Sequence, residues 1–355
     1  MIPSNSCNVR GECCSTPSPT VSPTKNPTQR PTTASPTTPR PTPNPTTPRP
    51  TPQPTPPPTQ SAAFTEMLAF ARTISSSSSL EDSNSPQYKA VEWLAQDKVD
   101  NGSNWSGYEL LQRYVLRVLY HATNGDNWTN NDADTTWFQS SSVCDWGSIN
   151  ALCRGNGQQV DFISLYNDNL QGTIPDELGQ LTALTYLRSD SNRLTGTIPS
   201  QVGQLTALTY LTFADNQLNG AIPSDLGQLT ALTSLVLAVN QLTGTIPSQL
   251  GKLTALTALY LWQNQLTGTI PSQFGQLTAL TVLNLRSNRL TGTIPLVLTQ
   301  LSNLNYLYIH NNNFTGQVPS GFCAAPFPDW RNTGNNALIT DCISEVQCDC
   351  CDVCF

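Results

Sequence analysis

Charge is scarce in this 355-residue chain. Only 12% of its residues are Asp, Glu, Lys or Arg, about half of the roughly 25% usual in soluble proteins. The net charge is -7. Phosphate binding needs clustered Lys and Arg, so the balance argues against nucleic acid and against a polybasic membrane-surface patch. Long apolar runs are missing too, so the sequence predicts no transmembrane helix. The opening residues, MIPSNSCNVRGECC, lack the apolar core of a signal peptide. Histidine is nearly absent, with only His121 and His310. No HExxH, GxSxG, P-loop or kinase pattern occurs. Gly155 to Gly157 forms a lone GNG loop, not a dinucleotide-binding turn. Asp176 and Glu177 are adjacent carboxylates that read as a solvated turn rather than an acid–base pair. His121 falls at a helix end, where a cation is electrostatically favourable. The stretch 160–319 holds no cysteine, so a catalytic Cys–His pair has no material there. The expectation is a protein without enzymatic activity, cofactor or metal.

What is present is unevenly placed. Of 11 cysteines, Cys7, Cys13 and Cys14 lie at the start, Cys144 and Cys153 in the middle. Cys323, Cys342, Cys348, Cys350, Cys351 and Cys354 lie at the end. Clusters flanking a Cys-free region fit structural staples in an oxidising compartment. The missing signal peptide conflicts with that, and leads to the expectation that the natural chain begins further upstream. The final cluster allows 15 pairings. It could also hold Zn²⁺ through thiolates, a reading that the extracellular features weigh against.

Residues 15–60 carry 17 Pro and 14 Thr. Such a segment has too few apolar side chains to bury a core. Polyproline II geometry, at ~3.1 Å per residue, makes it a spacer reaching ~140 Å, with O-glycosylation or a PxxP docking role compatible. Residues 61–125 change character. SAAFTEMLAFART reads as a short helix and SSSSSLEDSNSP as a polar linker. QYKAVEWLAQDK shows an apolar stripe of Ala90, Val91, Trp93 and Leu94. GYELLQRYVLRVLYHAT aligns Leu110, Leu111, Tyr114, Val115, Val118 and Leu119 on one face, a core-facing helix.

Then a 24-residue repeat takes over. A Gly column runs Gly172, Gly196, Gly220, Gly244, Gly268, Gly292, Gly316. A Pro column follows it three residues later, from Pro175 to Pro319. Asn192, Asn216, Asn240, Asn264, Asn288 and Asn312 form another column, with Asp168 in the first turn. Leu256, Leu259, Leu261 and Leu266 alternate with strand-like period. One turn cannot bury its leucines alone, so the turns stack. Each gives a short parallel strand, and the strands form a curved sheet. A buried Leu contributes roughly 1.5–3 kcal/mol. The Asn amides, read as buried, are expected to satisfy loop backbone. Asp168 lacks the amide donors, which makes the first turn irregular there. Pro after Ile suits a segment outside a central strand, and Gly suits a tight bend.

The pattern LxxLxxLxLxxNxLxGxIPxxLGx resembles plant-type leucine-rich repeats. It is similar to ectodomains of receptor-like kinases and receptor-like proteins, and to polygalacturonase-inhibiting proteins. LYHATNGDNW, Trp137, Cys144-Asp145-Trp146-Gly147 and Cys153 resemble that family's N-terminal cap. The preceding helical region and the ending DCISEVQCDCCDVC look like leucine-rich-repeat proteins of diatoms and related algae. The resemblance covers about 86–355. It implies an α/β-type solenoid: a right-handed leucine-rich-repeat superhelix with a parallel concave β-sheet, a helical N-terminal cap region and a Cys-rich C-terminal cap. It also implies a Cys144–Cys153 disulfide. The chain then divides into a Cys-containing N-terminus with Pro/Thr-rich stalk at 1–60, helices and cap at 61–159, seven repeats at 160–319 and a C-terminal cap at 320–355.

Within each strand the residues flanking the core leucines point outward on the concave face. Two clusters stand out there. Tyr186, Arg188, Asp190 and Tyr210 form one; Tyr260, Trp262, Arg286, Tyr308 and His310 form the other. Aromatic and Arg residues dominate protein hot spots, and aromatic faces can stack on sugars. The sequence therefore predicts a noncatalytic recognition module, outside the cell or at its surface, for a protein, peptide or glycan ligand. A plasma-membrane location follows if an upstream segment carries an anchor. Alternatives are a structural or adhesive cell-wall protein, an inhibitor of wall-degrading glycosidases, or the ectodomain of a receptor kinase. Asn101, Asn104, Asn127 and Asn313 are N-glycosylation sequons for a secreted chain.

Overall fold

The computed structural model describes residues 61–102, 105, 107–129, 142–145, 153, 159–323, 337–340, 346–347 and 353–354. The stalk, Cys7, Cys13, Cys14, Asn104, Cys342, Cys348, Cys350 and Cys351 lie outside the described residues, as do the side chains of Asn101, Cys323 and Cys354.

Serine starts three helices. Ser61, Ser76 and Ser85 each hold an extended backbone and accept a hydrogen bond from the amide three residues on, which satisfies one of the orphan donors of a helix N-terminus. The helices that follow are α1 (Ala62–Ala71), α2 (Ser77–Glu81) and α3 (Pro86–Asn101). Pro86 sits in the first turn of α3, where its missing N–H costs nothing. Helix α2 falls inside the stretch that the sequence reads as linker. Its signal is weak because five residues of mostly serine show no apolar period; Leu80 alone is buried. Helix α4 (Gly107–Ala122) is buried on more than one face. Gln112, Arg113 and Leu116 are sealed beside Tyr114, Val115 and Val118. Arg113 is fully buried, pairs with Glu109 at 3.0 Å and lies 3.8 Å over the Trp105 ring.

Helix α4 abuts the first repeat. Thr123 O accepts the Gln171 amide and Trp128 Nε1, both at 3.0 Å, and Asp168 O accepts the Thr129 amide at 3.0 Å. Glu177 corrects the solvated-turn reading. It is only 5% exposed and accepts from Ser75 Oγ at 2.5 Å and Gln87 Nε2 at 3.1 Å, so it ties the helices to the repeats. His121 differs as well. Burial pushes its imidazole down to about 4, and the charges of Arg117 and Lys89 add to that. The ring is neutral at pH 7 and brings no cation to the helix end. Cys144 and Cys153 are disulfide-bonded, with Cα atoms 5.1 Å apart.

The repeats form the rest. Seven three-residue strands lie at Phe162–Ser164, Tyr186–Arg188, Tyr210–Thr212, Ser234–Val236, Ala258–Tyr260, Val282–Asn284 and Tyr306–Tyr308. They pair in parallel, each with its sequence neighbour, and in register, so that Leu187 faces Leu211 and Leu211 faces Leu235. Two further strands, Ala337–Thr340 and Val353–Cys354, continue the same sheet. The leucines point inward: Leu205, Leu208, Leu211, Leu218 and Leu226 are all fully buried. Residues Gln171–Thr173 and Arg193–Thr195 form a second short parallel ladder, continued by bridges such as Thr197 to Asn219. The sequence reading placed the proline of the Gly-x-Ile-Pro segment outside a central strand. The pairing involves the residues around the glycine, while the proline opens a 3-10 turn such as Ser200–Gln204.

The Asn column works between turns. Asn240 Nδ2 donates to the carbonyls of Phe213, Leu237 and Ala238, and its Oδ1 accepts the Leu218 amide at 2.9 Å. The amides are half-buried rather than sealed; only Asn264 and Asn288 are under a tenth exposed. Asp168 is also buried, and its amide donates to Asn192 Oδ1 of the next turn at 3.0 Å.

Candidate ligand-binding site

Tyr186, Arg188, Tyr210, Tyr260 and Tyr308 lie in the concave strands, and Asp190, Trp262, Arg286 and His310 lie two residues beyond strand ends; all nine are half-buried. Strict 24-residue registration puts equivalent side chains one strand spacing apart, ~4.8 Å. At one end this spacing stacks three rings. Phe162 and Tyr186 lie 4.5 Å apart with planes at 10°, and Tyr186 and Tyr210 lie 4.6 Å apart at 7°. Both faces of the Tyr186 ring and one face each of Phe162 and Tyr210 are covered in this stack, which leaves less surface for a sugar ring to stack on.

Arg188 donates from Nε to Asp190 Oδ1 at 2.7 Å and from Nη2 to Oδ2 at 3.3 Å. The same guanidinium lies 4.0 Å over the Tyr166 ring. Its bond to Asp190 holds the Arg188 charge more firmly than usual. Burial pushes the Tyr210 phenol up, with Tyr186 and Asp190 adding and Arg188 opposing. At the other end Arg286 lies 4.4 Å over the Trp262 ring, again capping an aromatic face. Tyr306 and Tyr308 are parallel, 6.1 Å apart. Burial raises the Tyr308 phenol, Tyr306 and Tyr260 raise it further, and Arg286 opposes them. His310 lies one turn beyond Arg286 in the same column, and its carbonyl accepts the Ser287 amide at 2.9 Å.

The two clusters lie along one concave strip, and between them the turn of Ser234, Val236 and Ala238 carries neither an aromatic nor a charged side chain. Phe162, Tyr166 and Tyr306 belong to the strip and are absent from the sequence-derived clusters. The signal for all three lay in the column alignment, which places each in register with a cluster member. Within the strip Thr212 and Asn284 are buried, so they offer less surface than the columns suggest. Away from the concave strands, a groove of about 930 Å³ is lined by Ala221, Thr245, Pro247, Ser248, Thr269 and Pro271 among others. Its lining includes no aromatic side chain. Among the described residues no cluster of His, Cys, Asp and Glu could hold a metal ion, and no helix is long and apolar enough to cross a membrane. Of the sequons, Asn127 and Asn313 are exposed.

A family model described as Leucine rich repeat matches residues 254–314, and another with the same description matches 207–229 and 231–253. No curated protein matches the chain. Among solved structures, the ectodomain of the Arabidopsis thaliana membrane receptor kinase GASSHO1/SCHENGEN3, in complex with Casparian strip integrity factor 2, is 35% identical with a TM-score of 0.50, covering 61% of this chain and 28% of that one. The plant peptide hormone receptor RGFR1, in complex with RGF2, is 39% identical with a TM-score of 0.45, covering 47% and 26%. A plant ice-binding protein is 26% identical with a TM-score of 0.49, covering 62% and 84%. The chain thus spans about a quarter of the two receptor ectodomains.

Proposed function

The repeat region is a leucine-rich-repeat solenoid of the plant type, and from that premise we propose that the chain is a noncatalytic recognition module that takes an extended peptide segment on its concave strip, outside the cell or at its surface. The observation that carries this reading is the concave strip from Phe162 to His310. It offers the phenols of Tyr186, Tyr210, Tyr260, Tyr306 and Tyr308, two guanidinium groups and an indole, in two groups on either side of the turn of Ser234, Val236 and Ala238. Tyr, Trp and Arg are the residue types that anchor protein interfaces, and phenols combine apolar area with a hydrogen-bonding tip. A glycan is the weaker fit, because the rings of Phe162, Tyr186, Tyr210, Tyr166 and Trp262 already face another ring or a guanidinium. The Cys144–Cys153 disulfide favours an oxidising compartment.

The test uses the full chain against an array of synthetic decapeptides. Peptides that bind should lose about tenfold or more in affinity with Trp262→Ala or Tyr308→Ala, the loss expected of an interface anchor. Ser248→Ala, in the groove away from the strip, should leave binding unchanged. Equal binding by all the variants contradicts the assignment.

A further inference from the structure

A polyproline II helix has three residues per turn at ~3.1 Å each, so the same face returns every ~9.3 Å. Two strand spacings of the solenoid are ~9.6 Å. The rings of the concave strip follow that longer interval. Counting from the strand Phe162–Ser164, the first turn carries Phe162 and Tyr166, and the third carries Tyr210. The fifth carries Tyr260 and Trp262, and the seventh Tyr306 and Tyr308. The fourth turn offers only Ser234, Val236 and Ala238, and the sixth Val282, Asn284 and Arg286. Tyr186 in the second turn is the exception, and its ring is sandwiched between Phe162 and Tyr210. The other face of Tyr210 looks toward Ser234, its register neighbour, which is too small to cover a ring. A ring in van der Waals contact on both sides needs about 7–8 Å between its walls. The ~9.6 Å from the third turn to the fifth therefore admits a pyrrolidine. The polar atoms suit the same ligand. The phenols donate hydrogen bonds, and the indole and guanidinium groups are donors only. Proline supplies a carbonyl and no N–H, and polyproline II makes no internal hydrogen bonds, so such a chain presents acceptors in excess. A β-extended peptide repeats its face every ~6.6 Å and falls out of step with the odd turns.

Resting on the peptide reading above, we propose that the strip takes a proline-rich segment of a partner protein in polyproline II conformation, running along the stack with one residue in three seated at the odd turns. Nine residues, ~28 Å, span the ~29 Å from the first strand to the seventh. The chain's own residues 15–60 are proline-rich, but Lys25, Arg30, Arg40 and Arg49 are their only charges. On the strip Asp190 already pairs with Arg188 at 2.7 Å, and Arg286 has no carboxylate partner among the described residues. A neutral partner segment therefore fits the strip better than this basic one.

The experiment titrates the full chain with capped, uncharged peptides of about twelve residues, built from Pro, Thr and Gln. One keeps proline at every third position. A second has the same composition with that register scrambled, and a third has alanine in place of each proline. The in-register peptide should bind about tenfold or more tightly than the other two, and Tyr260→Ala should remove the preference. Ser234→Tyr adds a ring in the fourth turn and closes the gap. It should weaken binding of the in-register peptide about tenfold, where a surface on which only the number of rings mattered would bind more tightly. Val236→Tyr fills the same turn and serves if thermal melts show Ser234→Tyr unfolded. Equal binding of the in-register and scrambled peptides, or undiminished binding by the folded fourth-turn variant, overturns this inference and leaves the peptide site standing. So does binding confined to peptides of the decapeptide array that lack the register. Tighter binding of a peptide copied from residues 38–52, which holds Arg40 and Arg49, than of the neutral one overturns the choice of a partner over this chain's own segment. Binding of no peptide overturns both readings.

Discussion

A single side chain repeated by column carries much of the solenoid. Each repeat Asn reaches carbonyls in its own turn and the one before, and accepts an amide from that preceding turn. Removing one leaves partly buried backbone groups without partners. Asn240→Ala should cost ~1–3 kcal/mol in chemical denaturation, while Thr254→Ala, exposed and bonded to nothing by its side chain, should cost a few tenths. Equal losses contradict the bridging role. Thr257 would be a poor control despite its exposure, because its Oγ1 donates to the Thr233 carbonyl at 2.9 Å. The sequence shows identical threonines at both places. Only the structure separates the one in the hydrogen-bond ladder from the one in solvent.

At the scale of elements, the repeats were legible and their attachments were not. A 24-residue period with in-register Leu, Asn and Gly columns dictates stacked parallel strands, and the structure has them at every turn. The junction between helices and repeats rests on contacts with no period. Glu177 looked like a turn carboxylate because its partners, Ser75 and Gln87, are about a hundred residues away. His121 looked like a helix-end cation because burial cannot be read from its position. Its depressed pKa gives this junction a pH dependence with a definite sign. The folded imidazole stays neutral down to about 4 and the unfolded one takes up a proton near 6.5. The unfolded state therefore binds more protons in between, and stability falls as pH drops through that window. Urea midpoints measured near pH 7 and near pH 5 should separate less in His121→Gln than in wild type. An equal separation would show that other groups carry the pH dependence; Arg117, Lys89 and Asp126 are the charges acting on the ring.

For the whole molecule, the scarcity of charge and the location of what charge there is have one meaning. Residues 160–319 contain five Lys or Arg and seven Asp or Glu, and two of those cations, Arg188 and Arg286, lie on the concave strip. The clusters were readable as columns of variable residues on an invariant scaffold. The covering of their aromatic faces was not, because it depends on ring orientations and on the guanidinium groups placed over Tyr166 and Trp262. That geometry shifts the ligand chemistry from stacking toward hydrogen bonding and charge. Hydroxyl-radical footprinting of the full chain, with and without an array-selected peptide, tests the account most directly. Protection should appear at Tyr186, Tyr210, Tyr260, Trp262 and Tyr308 and spare exposed Leu296. Protection at Leu296 or along the groove of Thr245, Ser248 and Pro271, with the tyrosines and Trp262 unchanged, would contradict it.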